Sequence, residues 1–263
     1  MSAVSQSCDD PVGDAIARAA PAALATKAQQ PVARMVVLAI LAGAFIAFGS
    51  IASLVAQANM SDGGAVRILS GGAFSVGLMM VIIVGAELFT GNTMMILPTL
   101  TGDLDAGRMA GAWAVVWTGN LIGSVAIALL FHAAGGLSDG VGEAARALGD
   151  AKLGKSALAT FSSAILANML VCLAVWMAMG ARTIPAKVLT IVGPVTIFVS
   201  AGLEHSIANM SILPLGWLAQ TGHAPDLARG LTNLFCSTAG NIVGGAVVAL
   251  GIAYGHDAWR KAE

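Results

Sequence analysis

Apolar residues along this 263-residue chain run in long blocks rather than in alternation. No Asp, Glu, Lys or Arg occurs in residues 35–61, 68–86, 88–102, 109–138, 156–181, 188–203, 205–225 or 230–256. A helix that crosses the hydrocarbon core of a bilayer needs about 20 apolar residues, and most of these blocks reach or approach that length. They resolve into six predicted spans near 35–57, 66–86, 108–133, 157–180, 187–203 and 229–253. Blocks 88–102 and 205–225 are left over. Each follows a span across a single glutamate and carries a proline towards its end, so the second and fifth spans are predicted to be interrupted helices with short second halves.

An internal repeat supports that pattern. The first interruption reads Gly85-Ala-Glu87-Leu-Phe-Thr-Gly91-Asn92 and then Ile96-Leu97-Pro98; the second reads Gly202-Leu-Glu204-His-Ser-Ile-Ala-Asn209 and then Ile212-Leu213-Pro214. Downstream come Gly119-Asn120-Leu-Ile-Gly123 and Gly240-Asn241-Ile-Val-Gly244. Three spans per half is an odd number, so the halves are expected to lie in opposite orientations, with the interruptions meeting near the bilayer midplane. Backbone groups left unpaired at that depth survive only inside protein or along a wet cavity, which places a pathway at the interruptions. The expected fold class is an all-α membrane protein of six transmembrane helices in two inverted three-helix repeats.

Composition agrees: apolar residues make up 57% of the chain and Asp, Glu, Lys and Arg only 10%, too few charges to cover a water-soluble surface. A net charge of −1 with no basic run leaves nothing to grip nucleic acid. Cys8, Cys172 and Cys236 show neither disulfide nor metal-ligand spacing, so no metal, and no cofactor, is expected. Residues 1–34 form a cytoplasmic amphipathic segment expected to lie against the membrane, 35–255 the pore domain and 256–263 a cytoplasmic tail. The start lacks the basic and apolar regions of a signal peptide. With six spans, the side holding both termini carries Arg18, Lys27, Arg34, Arg108, Arg182, Lys187, Arg260 and Lys261. The opposite side carries Arg67, Arg146, Lys152, Lys155 and Arg229. Eight against five puts both termini in the cytoplasm by the positive-inside rule.

Only Glu87 and Glu204 among the charges, and His205 among the histidines, fall clearly within apolar sequence. Ionisable groups at such depth cost several kcal/mol, roughly, and mark function by default. A glutamate beside an interruption can also serve architecture alone, by accepting freed backbone N–H groups. Imidazole can donate, accept or give up a proton, which suits His205 to a small weak-acid anion; packing against a carbonyl is its structural alternative. Thr90 holds the corresponding stretch of the other half. Asn168 is a third polar group at depth, for substrate or for an interhelical hydrogen bond. Phe74, Leu78, Leu88, Phe89, Val171 and Phe198 are candidate apolar constrictions. Glu87, Gly91, Asn92 and Asn209 are assigned to the structure of the interruptions.

On these residues the chain resembles the formate/nitrite transporter family. Ile82-Ile-Val-Gly-Ala-Glu-Leu-Phe-Thr-Gly91 looks like its first signature and Ala164-Ile-Leu-Ala-Asn-Met-Leu-Val-Cys-Leu-Ala174 like its second, while Glu204-His-Ser-Ile-Ala-Asn-Met210 is similar to its histidine motif. The resemblance implies an aquaporin-like subunit in a homopentamer, one pore per subunit, in the bacterial inner membrane, passing formate, nitrite or hydrosulfide. By position it makes Thr90 the threonine of the first interruption, His205 the central histidine and Asn168 its partner. It puts Phe74 and Phe198 at an outer constriction, and Leu78, Leu88, Phe89 and Val171 at an inner one. Lys152, and more loosely Lys27, match lysines that draw anions into the vestibules. Gly91-Asn92 follows Thr90 where several formate channels carry small hydroxyl residues, but glycine at that place also occurs in nitrite-type and other formate-type members, so the motif does not choose the anion.

The mechanism this implies begins with attraction of the anion by Lys152 or Lys27. A bare ion in a dry medium costs on the order of 20 kcal/mol, so the anion is expected to take a proton, from His205 or from solvent, and to cross as the neutral acid. Two rivals remain at this point. An intramembrane serine enzyme needs a G-x-S-x-G elbow, whereas Ser75 sits in Ala73-Phe-Ser-Val-Gly77. A neutral-solute channel of the aquaporin kind would carry paired Asn-Pro-Ala interruptions, and none is present.

Overall fold

The computed structural model describes residues 12–220, 222 and 224–259. Expectations placed on Cys8, Arg260 and Lys261 therefore lie outside the described residues. The described residues are all-helical: α1 (Gly13–Gln29), α2 (Val32–Gln57), α3 (Gly64–Val84), α4 (Phe89–Asn92), a 3₁₀ turn (Thr93–Met95), α5 (Ile96–Leu100), α6 (Ala106–Ala133), α7 (Val141–Leu153), α8 (Ala157–Gly180), α9 (Ile184–Ser200), α10 (Ser206–Leu218) and α11 (Leu227–Gly255). Five of them, α2, α3, α6, α8 and α11, are long and apolar enough to cross a membrane. At 17 residues α9 is shorter than a full crossing, and the chain after it turns at Ala201–Gly202 where the sequence suggested helix to residue 203.

Local chemistry sets these boundaries. Asp105, Ser156, Thr183 and Asp226 each accept a backbone N–H at the start of α6, α8, α9 and α11, a cap whose loss costs about 1 kcal/mol. Helix α3 stops at Gly85 (φ 76°), and the turn after α9 contains Gly202 (φ 65°). Both are left-handed conformations that glycine adopts without a Cβ clash.

Two sets of helices pack alike: α2 lies against α3 and α6, and α8 lies against α9 and α11, while α10 crosses to α6 and α2. Small residues permit the close crossings. A Cβ on Gly123 would collide with the carbonyl oxygen of Ile40, and one on Gly244 with that of Ile165.

Two elements differ from the sequence expectation. Helix α7 falls in the charge-dense stretch between the third and fourth predicted spans, where the sequence suggested only a loop. Helix α1 buries Ala17, Ala20 and Leu24 against Met94, Leu97, Cys172, Trp176, Ala249 and Ala253, so that face meets protein rather than lipid.

Candidate functional site

Between α3 and α4 the chain is non-helical at Ala86–Leu88, and between α9 and α10 at Leu203–His205. Each stretch is held by an asparagine from a later helix. Asn120 of α6 donates through Nδ2 to the carbonyls of Ala39 (2.7 Å) and Glu87 (2.9 Å), and its Oδ1 accepts the Phe89 N–H (2.9 Å). Asn241 of α11 donates to the carbonyls of Ala164 (2.8 Å) and Glu204 (3.1 Å), and its Oδ1 accepts the Ser206 N–H (2.8 Å). One primary amide thus supplies a donor and an acceptor to the interrupted stretch, and its second donor bond ties that stretch to the neighbouring helix, α2 or α8.

The glutamates are equally enclosed. The Glu87 carboxylate accepts from Lys27 Nζ (3.2 Å to each oxygen), Gln30 Nε2 (2.9 Å) and Asn92 Nδ2 (2.8 Å). That of Glu204 accepts from Lys152 Nζ (3.2 Å), Lys155 Nζ (2.6 Å), Asn209 Nδ2 (2.7 Å) and Asn233 Nδ2 (3.4 Å). Glu87 and Glu204 are both buried, and such charges persist in an interior only when paired and hydrogen-bonded. Lys152 is buried too; desolvation pushes its ammonium below the ordinary lysine pKa, while the Glu204 charge raises it.

The two interruptions meet at Thr90 and His205. Thr90 Oγ1 lies 3.0 Å from His205 Nε2 across 115 residues of sequence. His205 also caps α10, its Nδ1 accepting the Ala208 N–H at 3.1 Å. With Nδ1 engaged as an acceptor, the neutral ring bears its proton on Nε2 and donates to Thr90. Asn168 Nδ2 ties the neighbourhood together, donating to Thr90 O (3.2 Å), Thr93 Oγ1 (3.0 Å) and Asn241 O (2.6 Å). Its Oδ1 is buried without a hydrogen-bond partner among the described residues.

Apolar side chains flank this centre. Phe198 stacks on His205 (centroids 5.7 Å apart, 21° between planes) and meets Phe74 edge-on at 5.6 Å. Leu78, Leu88, Gly91 and Asn92 line a cavity of about 240 Å³ that also receives Lys27 and Lys187. Phe89 packs edge-on against Trp113, and Val171 is buried in the central core. Those two are not among the residues lining the cavity.

Sequence reasoning passed over several partners: the bracketing by Asn120 and Asn241, the Glu87 contact of Gln30, the Glu204 contacts of Lys155 and Asn233, and the cavity position of Lys187. The signal for two of them was present. Lys27-x-x-Gln30 and Lys152-x-x-Lys155 each end two residues before a long apolar helix begins.

The same arrangement of helices is found in known proteins. A solved pentameric formate channel with formate bound superposes with a TM-score of 0.79 at 32% identity, covering 85% of this chain and 96% of that one. Formate channel FocA of Escherichia coli K12 is 32% identical, over 91% of this chain and 92% of its own length. Nitrite transporter NirC of the same strain is 36% identical over 81% and 80%. The formate/nitrite transporter profile matches residues 14–255. That stretch takes in every helix contributing to the two glutamate clusters, and the chain belongs to the formate/nitrite transporter family.

Proposed function

We propose that the protein is a homopentameric channel or transporter for small monovalent weak-acid anions, formate foremost, with one pore in each subunit. Its pore domain, residues 35–255, is read as six spans in two inverted repeats. α3 with α4–α5, and α9 with α10, are the interrupted second and fifth spans, and the bacterial inner membrane holds the protein with both termini in the cytoplasm. The observation that carries this reading is the Thr90–His205 contact, which joins the two interruptions between Phe198 on one side and the Leu78–Leu88 cavity on the other. Membership in a family of transporters removes the intramembrane enzyme alternative.

In this reading the anion passes from a vestibule into an apolar constriction, where its charge is costly, and takes a proton there. His205 Nε2–H holds it by a hydrogen bond. A proton relay through the ring has a structural condition: Nε2 can give up its proton without forming an imidazolate only if Nδ1 gains one, and Nδ1 must first release the Ala208 N–H. Bulk solvent is the other source. Asn168 Oδ1, an acceptor lacking a partner among the described residues, suits the O–H of the neutral acid better than a bare anion. A nitrite reading is favoured by the match to NirC.

The test is flux into proteoliposomes at graded pH, with formate, nitrite, hydrosulfide and lactate in competition. Formate flux at fixed total concentration should fall as pH rises from 6 to 8, by up to about tenfold per unit if only the neutral acid crosses. A protein that moves none of these ions at any pH ends the proposal.

A further inference from the structure

The repeat extends further than three helices. Lys27 precedes the start of α2 by five residues and Lys152 precedes the start of α8 by five, and each lysine reaches the glutamate of its own half. Three residues on, the halves differ. Gln30 gives Glu87 a neutral donor, whereas Lys155 gives Glu204 a second ammonium. Lys27 and Glu87 cancel as a pair. At Glu204, Lys155 adds a positive charge beyond the duplicated pair, on a side chain that is 30% exposed against 8% for Lys152.

The cavity beside α1 receives a second cation, whose counterpart in the other half, Arg67 at the fourth position of α3, is paired with Asp62 at 2.7 Å. Lys187, near the start of α9, lines that cavity with Lys27 and has no carboxylate within 4.0 Å among the described residues. Lys187 is half-buried. A paired ammonium and carboxylate present mainly a dipole to an approaching ion, and their field decays faster with distance than that of a net charge. Unneutralised cations at the mouth of a low-dielectric cleft are what raise the local concentration of anions.

We propose that capture of the anion at the two mouths is carried by Lys155 and Lys187, and that the duplicated lysines Lys152 and Lys27 are structural counter-ions that hold the interruptions in place. This rests on the weak-acid anion reading above and changes which residues serve it. At the α7 end the charge is held in place, Lys155 Nζ donating to Glu204 Oε1 (2.6 Å) and to the Gly202 carbonyl (2.7 Å), whereas at the α1 end it sits on Lys187 in the wall of the cavity.

The experiment compares wild type, Lys155→Gln and Lys187→Gln in vesicles of both orientations, with labelled formate offered from one side at about 10 mM and then 500 mM ionic strength. At low salt each variant should raise the half-saturating concentration about 3- to 10-fold for formate offered at its own mouth. The saturated flux should fall less, and the two curves should converge with wild type at high salt. Lys155→Arg and Lys187→Arg should restore the low-salt value. Unchanged half-saturation in both glutamine variants, or a loss of flux equal at both salts, would overturn the proposal. Absence of formate and nitrite flux in wild type would instead overturn the functional reading beneath it.

Discussion

Replacing Glu204 by glutamine separates the two glutamate clusters by burial. Glu204 is fully enclosed and the Lys152 side chain is 8% exposed, so the variant strands an ammonium that water barely reaches. Breaking a buried pair from one side costs about 3–5 kcal/mol. Glu87→Gln removes a similar number of hydrogen bonds, but the Lys27 side chain is 38% exposed and opens into a cavity. Its ammonium rehydrates, and the loss approaches the ~1 kcal/mol of an exposed pair. The difference of about 2–4 kcal/mol corresponds to roughly 5–15 °C in unfolding midpoint for a chain of this size. Heating the detergent-solubilised oligomer and following its size-exclusion peak measures it. Adding Lys152→Met to Glu204→Gln should return more than half of the lost stability, because the stranded charge goes with it. Equal midpoints for Glu87→Gln and Glu204→Gln, or no recovery in the double variant, would refute the reasoning.

Two further outcomes follow from the geometry. Gly123→Ala and Gly244→Ala each drive a Cβ into a facing backbone carbonyl, and each should cost at least ~2 kcal/mol, whereas Gly72→Ala, which faces open space, should melt within a degree or two of wild type. His205→Asn keeps a side-chain acceptor for the α10 cap but lacks the ring Nε2, while His205→Ala loses both; only the alanine variant should lose the ~1 kcal/mol of cap stability, and both should lower formate flux and flatten its pH profile. Flux in His205→Asn that matches wild type at every pH would leave the imidazole with a structural role alone.

The long apolar blocks made the helices readable, and the interruptions were readable because a glutamate, a glycine and a proline recur there in the same order in both halves. Thr90 and His205 stood out as polar groups in apolar surroundings, and they do meet. What escaped was tertiary. Asn120 and Asn241 were visible as an echoed motif, yet nothing local says that one amide closes a break some 35 residues upstream. Gln30 and Lys155 lie in polar stretches, where their shared spacing from Lys27 and Lys152 was the one signal they carried. Helix α7 was legible and was passed over: Val141, Ala145 and Gly149 recur every four residues and are buried, but the charges between them drew attention to the segment as a loop. Phe89 was named for its place in the first signature, and its edge contact with Trp113 is a tertiary detail that the motif does not carry.

Every side-chain bond to the Glu87 carboxylate comes from residues 27–92, and the amide that spans its break is Asn120. Every one to the Glu204 carboxylate comes from residues 152–233, with Asn241 spanning that break. Each half therefore holds, within its own residues, the side chains that pair its buried carboxylate and bridge its interrupted backbone. The contact between Thr90 and His205 is of another kind, since it waits for the last helices to arrive.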